Sequence, residues 1–227
     1  MKSNKQKYIF DNGQKRAALW TGISLIIMAV SAGIAYGAIH GQLFISGDSE
    51  ATGLAVQSNP ALLQAEIALW VVILLTDIIV SVKLYSFFKP AGRGLSLSAA
   101  LLRLIYSALL ATAIIFLLRS LNPEVAYENM SLFSRIWSIG LIVFGVHLTL
   151  LAVLAFKSRF VPLFLSILLI IAGPAYSLIH MLYNSGPQFE TMAVLLEKIL
   201  SVPMASAELL LALWLLIIAF SGRKAVS

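Results

Sequence analysis

The sequence predicts an all-α polytopic membrane protein: a bundle of six transmembrane helices, with a short amphipathic interfacial helix before the last span. Three observations carry this reading. Six apolar runs are each long enough for the roughly 20 residues that cross a hydrocarbon core about 30 Å thick. Of 227 residues, 60% are hydrophobic and 11% charged, with a mean hydropathy of +0.94, far outside soluble globular usage. Lysines and arginines gather at the ends of the runs, in the tails and in every second turn, and so fall mostly on one face.

In chain order, 1–16 is a basic tail (Lys2, Lys5, Lys7, Lys15, Arg16) suited to anionic headgroups. Everything from 17 to 221 forms one transmembrane domain, and 222–227 is a second basic tail. The first span, 17–39, is longer than the roughly 7–15 residues of a signal-peptide core, so it reads as an uncleaved anchor. Gly33, Gly37 and Gly41 recur every fourth residue and predict a face for close helix approach. The loop 41–61 carries Asp48 and Ser49 as caps for a short helix, and Asn59-Pro60 as its stop.

Spans then follow at 62–84, 95–118, 132–156 and 160–183. Gly173-Pro174 sits mid-span in the last of these and predicts a kink, because proline has no amide hydrogen to donate. Between 188 and 200, Phe189, Met192, Ala193, Leu196, Ile199 and Leu200 share one helical face. Glu190, Thr191, Glu197 and Lys198 oppose them, the pattern of a helix lying in the interface. Ser201 and Pro203 restart the chain as the final span, 200–220.

Cation counting orients the bundle. The two tails and the turns with Lys83, Lys89 and Arg93 and with Lys157 and Arg159 hold 12 of the 16 lysines and arginines. The other loops hold three, against Asp48, Glu50, Glu124, Glu128, Glu190 and Glu197. Both termini are therefore expected in the cytoplasm, in a multi-pass protein of the cell membrane.

Arg103 alone among the cations falls within the hydrocarbon. At 1.5 Å per residue, Asp77, Arg103 and His147 lie about 10, 12 and 13 Å from the cytoplasmic ends of three different spans, which places them in one layer. Glu208 sits nearer the middle of the sixth span and needs a partner from another helix. Glu66, His180 and His40 form a second candidate layer toward the outer face. Helical faces agree: Glu66, Trp70, Asp77 and Ser81 align on one helix, and Ser96, Arg103 and Ser107 on the next. Buried charges in a membrane cost about 3 kcal/mol each on insertion scales. Asp77 and Arg103 are thus either a mutually neutralised hairpin or the working groups of a site, and the sequence leaves both open.

Several chemistries find no support. There is no cysteine, so there is no thiolate nucleophile and no disulfide. No glycine-rich phosphate loop, HExxH or GxSxG motif occurs. The depths of His40 and His180 against His147 argue against a shared metal, so neither a metal nor a cofactor is expected. The net charge of +6 is spread over helix ends rather than one surface, which points to a bilayer and away from nucleic acid.

Leu84-Tyr85 with Pro90, the run Phe144-Gly145-Val146-His147, the turn 156–162 (FKSRFVP), the segment 172–176 (AGPAY) and 208–215 (ELLLALWL) occur in this order. Together with the Arg103 span and the Gly47-Asp48 loop they resemble an uncharacterised bacterial membrane family, DUF4386. Pro174 and the missing asparagine after Thr52 depart from its pattern. The resemblance implies a six-helix inner-membrane protein and brings no activity with it.

Two function classes follow. One is a non-enzymatic binding or regulatory protein that recognises a lipid, a small hydrophobic ligand, another membrane protein or a second copy of itself. The other is a proton-coupled transporter or intramembrane enzyme using Asp77, His147 or Glu208, with Arg103 setting their charge.

Overall fold

The structure, a computed structural model, describes residues 8–221. Lys2, Lys5, Lys7, Arg223 and Lys224 of the expected basic tails lie outside the described residues.

Helix α1 (Asn12–Leu43) begins at a capping box, where the Asp11 carboxylate accepts from the Gln14 amide at 2.7 Å and Gln14 reaches back to the Asp11 amide. One π-helical turn, Ala35–His40, interrupts it. A short outer helix, α2 (Ser49–Ser58), is capped by Asp48, whose side chain accepts from the Ala51 amide at 2.9 Å. The remaining spans are α3 (Pro60–Phe88), α4 (Arg93–Arg119), α5 (Ala126–Ser158), α6 (Leu163–Tyr183) and α7 (Glu190–Phe220). Among the described residues, six helices are long and apolar enough to cross a membrane. Their outward side chains are correspondingly apolar, with Val30, Leu75, Ile115 and Ile217 all exposed. The protein is a multi-pass α-helical membrane protein, and its six crossings bring the first and last described residues to one face.

Each span packs on the next in chain order, and α7 returns to α1, so the six close into a ring. Small residues set the close crossings. A Cβ on Gly22 would stand 2.7 Å from Leu216 of α7 and 3.0 Å from the Ala212 carbonyl. Gly145 of α5 and Gly173 of α6 meet backbone to backbone; a Cβ on Gly145 would lie 2.5 Å from the Gly173 carbonyl. On the face holding the chain ends, Phe10, Phe87, Phe88, Phe160 and Trp214 form an aromatic plug. Gln14 secures it by donating to the Phe87 carbonyl at 3.2 Å.

Two expectations change. Gly33, Gly37 and Gly41 are exposed, and a Cβ on any of them would meet nothing within 4 Å. The close approach of α1 is made at Gly22 instead, about three turns before Gly33. The amphipathic stretch before the last span is helical but not separate: it runs through Pro203 into the span as one helix. Proline costs the helix the bond that its missing amide would make to the residue four before, and nothing in that turn requires a new start. Within the stretch Ala193 is buried while Met192 and Ile199 are exposed. Helix α6 likewise continues through Pro174.

Candidate functional site

Arg103 is the hub. It projects from the middle of α4 into the ring and is completely buried. Asp77 of α3, also fully buried, accepts from Nε at 2.8 Å and Nη2 at 2.7 Å, both on Oδ1. Its Oδ2 accepts from Ser107 Oγ at 2.5 Å, so both carboxylate oxygens are engaged. From α5, His147 places Nε2 3.2 Å from Arg103 Nη1, and its Nδ1 lies 2.8 Å from the Ala99 carbonyl. A guanidinium only donates and a carbonyl only accepts, so these partners hold His147 as the neutral ring with its proton on Nδ1. Glu208 of α7 closes the cluster, 3.3 Å from Arg103 Nη1. Met28 of α1 lies 3.8 Å from Nη2, and the Phe144 ring centroid is 5.2 Å from the guanidinium carbon.

One cation thus faces two carboxylates that are not equivalent. Asp77 is sealed, whereas the Glu208 side chain is 22% exposed, and among the described residues no partner holds its second oxygen.

Of the outer layer, two members meet and one does not. His40 Nδ1 is 2.7 Å from Glu66 Oε1, to which Trp70 Nε1 also donates at 3.3 Å. Glu66 Oε2 is buried with no partner among the described residues. The other His40 nitrogen, Nε2, lies 3.3 Å from Ser134 Oγ. The π turn sets the register of α1 that delivers His40 to this spot. His180, on α6, instead binds Ser138 at 3.0 Å, and Asn184 donates to the same hydroxyl at 2.9 Å. Gly173 serves the α5–α6 crossing, and Pro174 follows it inside α6. Among the described residues, no three histidines and carboxylates are grouped to hold a metal.

Away from the Gly22 crossing, α1 and α7 leave a cavity of about 380 Å³ between them. Small side chains make the room, with Ala29 and Ala32 on α1 opposite Ser201 and Ala205 on α7. Aromatic rings form much of the wall: Tyr36, Trp70, Tyr106, Trp137, Phe144 and Tyr176. Glu208 lies in its floor. A wetter depression of about 510 Å³ adjoins it on the outer side, lined by Arg135, Ser138, Tyr183 and Asn184. Tyr36, Trp137, His180 and Glu197 belong to both. The arrangement is a mostly apolar intramembrane chamber with a polar mouth and a carboxylate at its inner end.

Sequence reasoning singles out the charged members and, apart from Trp70, misses the aromatic wall. A signal existed: Tyr106, Phe144 and Tyr176 stand three or four residues from Arg103, His147 and His180 on inward-facing helix faces.

The sequence profile of a domain of unknown function, DUF4386, matches residues 20–219 of this chain. The chain belongs to the DUF4386 family. Both polar layers and the cavity fall inside the matched region. A relative from Archaeoglobus fulgidus, itself described as uncharacterized, is 30% identical over 152 residues, which covers 67% of this chain and 80% of the relative. No solved structure matches.

Proposed function

We propose that this DUF4386 protein is a non-enzymatic membrane receptor that binds a small hydrophobic ligand in the chamber between α1 and α7. The single observation that carries the reading is Glu208, a partly exposed carboxylate placed at the end of an aromatic-walled cavity and tied to the Arg103 cluster behind it. A cavity of about 380 Å³, predominantly apolar with a few convergent polar groups, has the size and lining of a small-molecule site. An occupant engaging Glu208 would reach the bond to Arg103, and through it α3, α4 and α5, which gives binding a route to the rest of the ring.

The cation distribution supports placing the protein in the cytoplasmic membrane with both termini inside and the cavity mouth facing out. Reporter fusions after Asp48 and after Gln188 test this; a cytoplasmic signal at either site overturns it.

Transport is the second reading, favoured by the same accessible Glu208 oxygen. Catalysis is less well supported. Ser134, His40 and Glu66 follow the order nucleophile, base, carboxylate, but Ser134 lies inside continuous α5, whose backbone amides are spent on the helix and cannot serve an oxyanion.

The binding reading is tested with the neutral fluorophore N-phenyl-1-naphthylamine and protein in lipid nanodiscs. Energy transfer from Trp70 and Trp137 should saturate at one probe per protein. Filling the chamber with Ala32→Phe and Ala205→Phe should weaken it at least about tenfold while the protein stays folded. Unchanged transfer in the filled protein refutes the site.

A further inference from the structure

We infer that the ligand class selected by this chamber is the lipophilic cation: an organic ammonium whose apolar body lies among the aromatic rings and whose charge reaches Glu208. The inference rests on the chamber being a binding site and adds the sign of the charge that the site prefers.

Three features set that sign. First, the ionisable carboxylates of the wall are Glu208 at the inner end and Glu197 at the mouth, while among the described residues no lysine or arginine lines the chamber. An anion would meet two carboxylates and no cation. Second, the donors of Arg103 are already committed. Its Nε and Nη2 are on Asp77, its Nη1 on His147 and Glu208, Nη2 also reaches the Met28 sulfur at 3.8 Å, and its guanidinium carbon is 5.2 Å from the Phe144 ring centroid. Within that cluster one guanidinium stands against two carboxylates, so with both ionised the formal sum is one negative charge, on the side that faces the chamber. Third, the wall is rich in tyrosine and tryptophan. The faces of these rings carry negative electrostatic potential and attract organic cations, most of all where water is excluded. A neutral hydrocarbon would gain the apolar contacts but leave the second Glu208 oxygen, the one not bonded to Arg103, without a partner among the described residues.

Arg135 lies at the outer depression and does not line the inner chamber. The charge preference therefore belongs to the inner chamber, and Arg135 bears only on entry.

The test compares three probes of one shape and different charge on the full-length protein in nanodiscs. They are octyltrimethylammonium, its neutral carbon isostere 2,2-dimethyldecane, and octyl sulfonate. Binding is read from quenching of tryptophan fluorescence, with probe-loaded empty nanodiscs subtracted. The cation should bind saturably, one per protein, at least about tenfold tighter than either other probe, a difference of about 1.4 kcal/mol. Glu208→Gln should abolish that preference while keeping the apolar binding. Equal affinities, or tighter binding of the sulfonate, overturn the charge assignment and leave the chamber as a hydrophobic site. Failure of all three to bind above empty nanodiscs overturns the chamber itself. Cation binding that survives Glu208→Gln undiminished places the cation elsewhere and also overturns the inference. If Glu208→Gln does not fold, Glu197→Gln at the mouth decides: a weakened cation preference supports the assignment, and an unchanged one rejects it.

Discussion

Removing the Asp77 carboxylate separates charge from shape in the buried cluster. In Asp77→Asn, the remaining carbonyl oxygen can still accept from Nε and Nη2 of Arg103, since both bonds converge on Oδ1. What is lost is their charge assistance, about 1 kcal/mol per bond. The Ser107 hydroxyl keeps an alternative acceptor in the Arg103 carbonyl at 3.0 Å. The expected destabilisation is about 2 kcal/mol. Asp77→Leu removes the acceptor entirely and leaves Arg103 with Glu208 as its remaining carboxylate, so the cost should rise to about 3–5 kcal/mol, the usual penalty for breaking a buried pair. For a chain of this size that is a fall in Tm of roughly 10 °C. Pairing Asp77→Leu with Arg103→Met should recover at least about 2 kcal/mol of the summed single losses. Equilibrium unfolding in mixed micelles, run as a double-mutant cycle, measures it. A coupling below about 0.5 kcal/mol would show that the two charges are not energetically a pair.

Gly145→Ala and Gly173→Ala each push a methyl into the opposing backbone and should lower stability by about 1–3 kcal/mol, whereas Gly37→Ala, facing open space, should be neutral or slightly stabilising. Thermal unfolding of the three variants checks this. Glu66→Gln keeps an oxygen for His40 and Trp70 and should cost about 1 kcal/mol or less, while Glu66→Leu orphans two buried donors and should cost about 2–4 kcal/mol in the same assay.

The fold was legible in the sequence because a bilayer admits few solutions: an apolar run of sufficient length has to be a helix, and alternating basic turns suit a chain that goes back and forth. The inner cluster was legible for a similar reason. Axial rise converts residue number into depth, and the depths of Asp77, Arg103 and His147 agreed; in the structure all three lie within hydrogen-bonding reach. Azimuth between non-neighbouring helices cannot be derived that way. Glu208 meets Arg103 only because α7 closes back on α1, which no local pattern encodes. The outer layer shows the same limit. His40 and His180 share a depth, yet one joins Glu66 and the other Ser138, since they stand on different sides of the ring. The glycine spacing in α1 misled for another reason: periodicity marks a smooth face but not what lies against it.

The chamber between α1 and α7 is the centre of the functional account, and an experimental structure with a brominated hydrophobic amine, grown from protein in lipid, interrogates it most directly. The account predicts anomalous bromine density between Ala32 and Ala205, with the amine nitrogen within about 3.2 Å of a Glu208 oxygen. Bromine found only on the lipid-facing surface, with the chamber unfilled at saturating ligand, would contradict it.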